Sequence, residues 1–155
     1  MKGVISVVLP AHLSDIEDNL LEGEKKAAQL YFDETNLDLG SSSLYFVPLK
    51  SIYLHISRKM TITGAILNCH GKSIEELAAT IRMSTNIEGM EIATMKIALP
   101  PYFLGCLQPN HALLLNLSAP TRGLNEDRIF EAFELSSKLD DVKIIEALDK
   151  EVNVS

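Results

Sequence analysis

The chain has 155 residues, 46% of them apolar and 23% charged, a length and composition that suit about one globular domain with a substantial core and exclude a mainly disordered chain. Its formal net charge of −7 disfavours phosphate-backbone binding, which needs clustered Lys and Arg, so nucleic acid is not an expected partner. No apolar run reaches the roughly 18–20 residues of a membrane span, and Cys69 and Cys106 have no CxxC or CxxH companion, which points to reduced thiols in a cytoplasmic protein.

In chain order, Val4 to Leu9 is a β-branched run stopped by Pro10; it reads as a strand and is too short for a secretory signal. Ser14 with Glu17 three residues on forms a capping box and predicts a helix running to Phe32. Ile16, Leu20, Leu21, Ala27, Ala28 and Tyr31 share one face of that helix, while Glu22, Glu24, Lys25 and Lys26 lie mostly elsewhere. Gly23 within it costs about 1 kcal/mol relative to Ala and marks a kink or a close contact. Asp33 to Ser43, rich in Asp, Asn, Gly and Ser, predicts a loop. Three strands follow over Leu44 to Val47, Ser51 to Ile56 and Met60 to Leu67, with Pro48 separating the first two or marking an edge. In the middle run Ile52, Leu54 and Ile56 fall on one face and Tyr53 and His55 on the other, so one face should be buried. The short connectors favour antiparallel pairing.

Ser73 with Glu76 gives a second capping box, and Ile74, Leu77, Ala78 and Ile81 keep a helical period as far as Ser84. Met90 to Leu99 predicts a strand ended by Pro100 and Pro101, and Ala112 to Ser118 another. Asn125 caps a third predicted helix with Ile129, Phe130 and Phe133 on its buried stripe, interrupted at Asp140 and Asp141. Val142 to Val152 suits a helix better than a final strand.

No chemical motif accompanies these elements. His12, His55, His70 and His111 are scattered, so a metal site would depend on the fold alone to gather its ligands. Cys69 and His70 are adjacent, and neighbours on extended chain point apart, which disfavours a nucleophile–base pair. Asp15, Glu17 and Asp18 suit the first turn of a helix as capping charge. Asp33, Thr35 and Leu37 fail as a calcium loop because Leu37 offers no side-chain ligand. Gly64, Gly71 and Gly89 make no phosphate-binding fingerprint, and Arg58, Asn86 and Gly89 match a cyclic-dinucleotide motif poorly. The runs Ile52–Leu54–Ile56 and Leu113–Leu117 read first as core, yet segments apolar on both faces invite a covering layer of helices or of another chain. By elimination, the expected ligand is another protein.

From Ser14 onward the predicted order is helix, three strands, helix, two strands, helix, and in an acidic chain of this size it resembles the small dimeric type III secretion chaperones. Tyr31-Phe32-Asp33-Glu34 falls where that family often has an aromatic and acidic stretch, and Leu113 to Leu117 followed by Leu124 to Phe133 looks like its last strand and C-terminal helix. Met1 to Pro10 and the loop Pro100 to Asn110 depart from the family pattern. The resemblance implies an α+β fold, a twisted antiparallel sheet of about five to six strands packed with three to four helices. It also implies a cytoplasmic homodimer without catalytic residues, cofactor or metal, around which a partner polypeptide wraps, laying apolar side chains into grooves and adding strands to edges. Leu20 and Leu21 on the helix and Ile52, Leu54 and Ile56 on the strand are the residues expected to take part. Two alternatives stay open: a regulatory or assembly module for a small ligand, and an enzyme whose site gathers dispersed residues such as His55, His111 and Glu91.

Overall fold

The computed structural model describes residues 5–9, 19–35 and 44–146, and within them the chain is predominantly strand. The elements are β1 (Ser6–Val8), α1 (Asn19–Glu34), β2 (Leu44–Leu54), β3 (Lys59–Asn68), β4 (Ile74–Thr85), β5 (Glu91–Ile92), β6 (Met95–Leu99), α2 (Pro101–Leu104), β7 (His111–Arg122), β8 (Arg128–Glu131), a 3₁₀ turn (Ala132–Glu134) and β9 (Leu135–Glu146). A larger sheet has the order β1-β7-β3-β2-β8, with β5 also paired to β7; a smaller sheet has the order β6-β4-β9. Every pairing is antiparallel except that of β1 with β7.

The inner faces of the two sheets supply one core. Phe46, Tyr53, Met60, Ile62, Ile66, Leu113, Leu115 and Phe130 come from the larger sheet, and Leu77, Ala79, Ile81, Met83, Met95, Ile97 and Leu99 from the smaller. This alternation of one inward and one outward residue is what two stacked antiparallel sheets require. A second, smaller core lies on the opposite face of the larger sheet, where Ala28 and Phe32 of α1 and Val7 of β1 meet Val47, Ala65, Leu67, Ala112 and Leu114. Gln29 locks α1 to the sheet edge: its Oε1 accepts the Val7 N–H at 2.9 Å, and its Nε2 donates to the Ile5 carbonyl at 2.8 Å. The side-chain amide thus occupies backbone groups of an edge strand that a further strand would otherwise use.

A bulge in β2 decides which residues face outward. Pro48 pairs with Gly64 and Lys50 with Thr63, leaving Leu49 as the extra residue. Before the bulge, Phe46 points to the inter-sheet core and Val47 to α1; after it, Ser51 and Tyr53 point inward, and Ile52 and Leu54 point outward. One inserted residue reverses the phase of a period-two pattern.

The α+β expectation of a sheet packed with three to four helices is therefore corrected. Among the described residues there are two α-helices, and only α1, at 16 residues, is longer than four. Ser73 to Ser84, read as a helix, holds nearly all of strand β4: Leu77, Ala79, Ile81 and Met83 are buried at period two, and Arg82 and Ser84 on either side of Met83 are exposed. Leu77 and Ile81, four apart, satisfy both periods, and Ile74 fits the helical one alone because the register shift between Ile74 and Glu76 changes the strand phase there. The segment after Asn125 is β8, the 3₁₀ turn and the start of β9 in place of a third helix, with Phe130 at the centre of the core and Phe133 exposed. Val142 to Glu146 continues β9 as strand. Leu44 to Leu54 is one bulged strand where two had been read, and Met90 to Leu99 holds two short strands. The helix–strand order that carried the chaperone resemblance is accordingly not the observed order. The predicted helix start at Ser14, most of the loop Asp33 to Ser43, and residues 147–155 lie outside the described residues.

Candidate functional site

The outer faces of the two sheets differ in chemistry. On the smaller sheet Arg82 and Ser84 on β4, Lys96 on β6, and Lys138, Asp140 and Lys143 on β9 are polar outward positions, while Val142 and Ile145 near the end of β9 are apolar and 42% and 53% exposed. Arg82 and Asp140 form an ion pair across two of these strands. The polar stretch is solvated without help. On the larger sheet, α1 covers one half of the outer face and leaves the other open. In the open half Ile52, Leu54 and Ile129 are 39%, 44% and 54% exposed, and Ile52 and Ile129 are cross-strand partners, so the three form a continuous apolar strip along the β8 side.

A groove of about 590 Å³ runs along the boundary between α1 and this open half. Gly23, Glu24, Ala27, Ala28 and Tyr31 of α1 form one wall; Leu49, Lys50, Ile52, Thr61, Thr63 and Glu131 form the floor and the other wall. Thr63 Oγ1 donates to Asn116 Oδ1 at 2.7 Å, and Asn116 Nδ2 reaches Glu24 Oε2 at 3.4 Å, a polar link from sheet to helix. Burial pushes the Tyr31 phenol above its ordinary range, so at neutral pH it is an uncharged donor. Beside the groove, Glu131 and Glu134 cap each other: the Glu131 carboxylate accepts the Glu134 N–H, and the Glu131 N–H donates to Glu134 Oε1 at 3.1 Å. That backbone bond, with Arg128 at 3.0 Å, holds the Glu134 carboxyl below the usual range. The cap takes up backbone at the end of β8, an edge strand of only four residues, and leaves little edge for another strand to join.

Of the residues singled out in the sequence, Ile52 and Leu54 lie side by side on this open face, and Ile56 projects from the β2–β3 turn at 96% exposure. Leu20 and Leu21 fall in the first turn of α1, with their side chains outside the described residues. In the sequence Ile129 reads as a buried helix position and Glu24 as a charge off the apolar face of the first helix, and Thr63 and Asn116 carry no reading of their own. Ile129 was hidden by the helical reading of its segment, although Ile129 between Arg128 and Glu131 alternates with buried Phe130 as a strand should.

The dispersed-enzyme candidates do not converge. His111 opens β7 and Glu91 pairs with Arg122 at the far end of that strand, a separation of about 35 Å along it. His55 instead shares a hydrogen bond of 3.0 Å with the Tyr53 hydroxyl, and its N–H donates to Asp127. Burial raises the Cys69 thiol pKa, the opposite of what an activated nucleophile needs. Both cysteines are free. His70 Nε2 meets Glu146 Oε1 at 2.7 Å with Lys72 at 3.6 Å, an ion cluster joining the β3–β4 turn to the end of β9. Among the described residues no three His, Cys, Asp or Glu side chains are grouped as a metal site, and no helix is long and apolar enough to cross a membrane.

Comparison of the chain with protein-family models, with curated proteins and with solved structures finds no match.

Proposed function

We propose that this protein is a non-enzymatic adaptor that holds a segment of a partner polypeptide on the open half of its larger sheet, in the groove against α1. The observation that supports this most is the arrangement on the larger sheet, whose open half presents Ile52, Leu54 and Ile129 in a strip beside a groove, whereas Val142 and Ile145, the apolar residues exposed on the smaller sheet, lie beside charged Asp141, Lys143 and Glu146. A contiguous apolar strip of this kind is what a protein-binding surface offers, and the hydrophobic effect supplies about 25 cal/mol for each Å² of apolar area a partner covers. The reading rests on that face and not on the likeness to secretion chaperones, which was drawn from a helix–strand order that differs from the observed one.

The test is a differential co-purification from the protein's own cells, with native mass spectrometry as readout. A discrete polypeptide retained by the wild type and by Ile56→Asp, and lost from Ile52→Asp and Ile129→Asp, supports the reading. Ile56, expected from the sequence to take part, lies in the β2–β3 turn outside both the groove lining and the Ile52–Ile129 cross-strand pair, and in this reading serves as the control. A polypeptide retained equally by all four chains overturns it, and a wild type that carries only a copy of itself replaces the partner with self-association.

A further inference from the structure

The groove has a charge pattern as well as an apolar floor. Glu24 on the helix wall and Glu131 on the sheet wall face it from opposite sides, with Lys50 as the single cation between them and Ile52, Leu49 and Ala27 beneath. Lys50 is the cross-strand neighbour of Glu131, yet no ion pair involves Lys50, Glu24 or Glu131 among the described residues. Among the described residues Glu24 has one polar partner, the Asn116 amide at 3.4 Å, a long contact that leaves most of the acceptor capacity of its carboxylate to other donors. A purely apolar segment laid here would strip water from the Glu24 carboxylate and give nothing back, whereas Glu131 keeps the Glu134 N–H as a partner.

We infer that the groove selects a polypeptide segment in which a lysine or arginine is flanked by apolar side chains. The aliphatic stem of such a residue lies along Ile52 and Ala27, and its cationic head reaches Glu24, replacing lost hydration with a charge-assisted hydrogen bond. Apolar neighbours on either side then cover Leu54 and Ile129. Backbone strand addition contributes little, because the edge of β8 is short and capped by the Glu131–Glu134 pair. A second copy of the chain is a poorer occupant: it brings its own net charge of −7 against a groove with an excess of carboxylate. This selectivity rests on the docking reading above, and the two fail differently.

The experiment is a ¹⁵N-resolved NMR titration of the full chain with three acetylated probes, Leu-Thr-Lys-Thr-Leu-Thr and the same peptide with Glu or Gln in place of Lys. The expected result is amide shifts confined to the groove around Ile52, Thr61 and Thr63. The Lys probe should bind at least ~10-fold more tightly than the Glu probe at low salt, with the margin shrinking as salt is added. Glu24→Gln should narrow that preference, and Ile52→Ser, which removes apolar surface without adding charge, should weaken binding of every probe. Equal affinity for the Lys and Glu probes, with weakening in Ile52→Ser, overturns the charge selectivity and leaves the docking face standing. So does a preference unchanged in Glu24→Gln. Absence of groove shifts with any probe overturns both.

Discussion

Replacing Gly64 with Ala is a sharp test of how the two sheets are stacked. A Cβ built at Gly64 would lie 2.4 Å from Phe46 Cζ, 2.8 Å from its Cε1 and 2.9 Å from the Val47 carbonyl oxygen. Carbon pairs rest at about 3.5–4.0 Å, so the ring would have to move by more than an ångström. It has little room to do so: Phe46 is buried in the inter-sheet core, and its carbonyl accepts a hydrogen bond from Ser137 Oγ on β9. The Val47 oxygen belongs to the β2–β3 pair and is no freer. Overpacking of this kind costs about 1–3 kcal/mol, against which the lower chain entropy of Ala returns about 0.5–1 kcal/mol. A net loss of about 1–2 kcal/mol is expected, or roughly 2–8 °C in Tm at this chain length. Urea titration and thermal melts of Gly64→Ala, Phe46→Leu and the double variant measure it. The double variant should recover part of the loss, with a coupling of about 1 kcal/mol between the sites. A Gly64→Ala protein as stable as the wild type, or strictly additive losses, would refute the placement of the Phe46 ring over β3.

Three further outcomes follow from particular residues. Asn68 is fully buried and spans three segments, donating to the carbonyls of Lys72 at 2.8 Å and Leu107 at 3.0 Å and accepting the His70 N–H at 2.8 Å, so Asn68→Ala should lose roughly 3 kcal/mol in a urea titration. A loss under about 1 kcal/mol would mean those groups find other partners. Ser51 is buried with its hydroxyl unpartnered among the described residues, so Ser51→Ala should be neutral or up to about 1 kcal/mol stabilising, and clear destabilisation would reveal a missing partner. His70 first, and then Lys72, hold the Glu146 carboxyl below its ordinary range. A carboxyl depressed in the folded state stabilises above its unfolded pKa of about 4.3 and loses that contribution as pH falls further, so Glu146→Gln should flatten the fall in urea midpoint below that pH. An unchanged acid limb would exclude Glu146 as a source of it.

The strands of the larger sheet were legible as short, mostly apolar runs bounded by turn residues, as in Met60 to Leu67 and Ala112 to Ser118, and the antiparallel pairing of β2 with β3 followed from their short connector. The alternation across Ile52 to Ile56 was legible too, but not which face would be buried. That depends on the bulge at Leu49 and on how far α1 reaches across the sheet, and both are set by tertiary packing. The second sheet was missed because Leu77 and Ile81 fit a helix as well as a strand, Ile74 fits the strand face only through the register shift that follows it, and Ala79 and Met83 alone break the tie. Ser73 and Glu76 imitated a capping box at a strand start, and in the same way Asn125 imitated a helix cap before β8. The groove itself had no signal in the sequence, since Glu24, Lys50, Thr63 and Glu131 come from four elements and acquire meaning only when the sheet and helix bring them together.

The central claim is that the open half of the larger sheet, and not the smaller sheet, meets the partner. A photoreactive phenylalanine analogue placed in turn at Ile129 and at Val142, which is 42% exposed on β9, tests it directly in the native cells. The account predicts a discrete crosslinked polypeptide from position 129 and none from position 142. Crosslinks from position 142 alone, or equally from both, would contradict it.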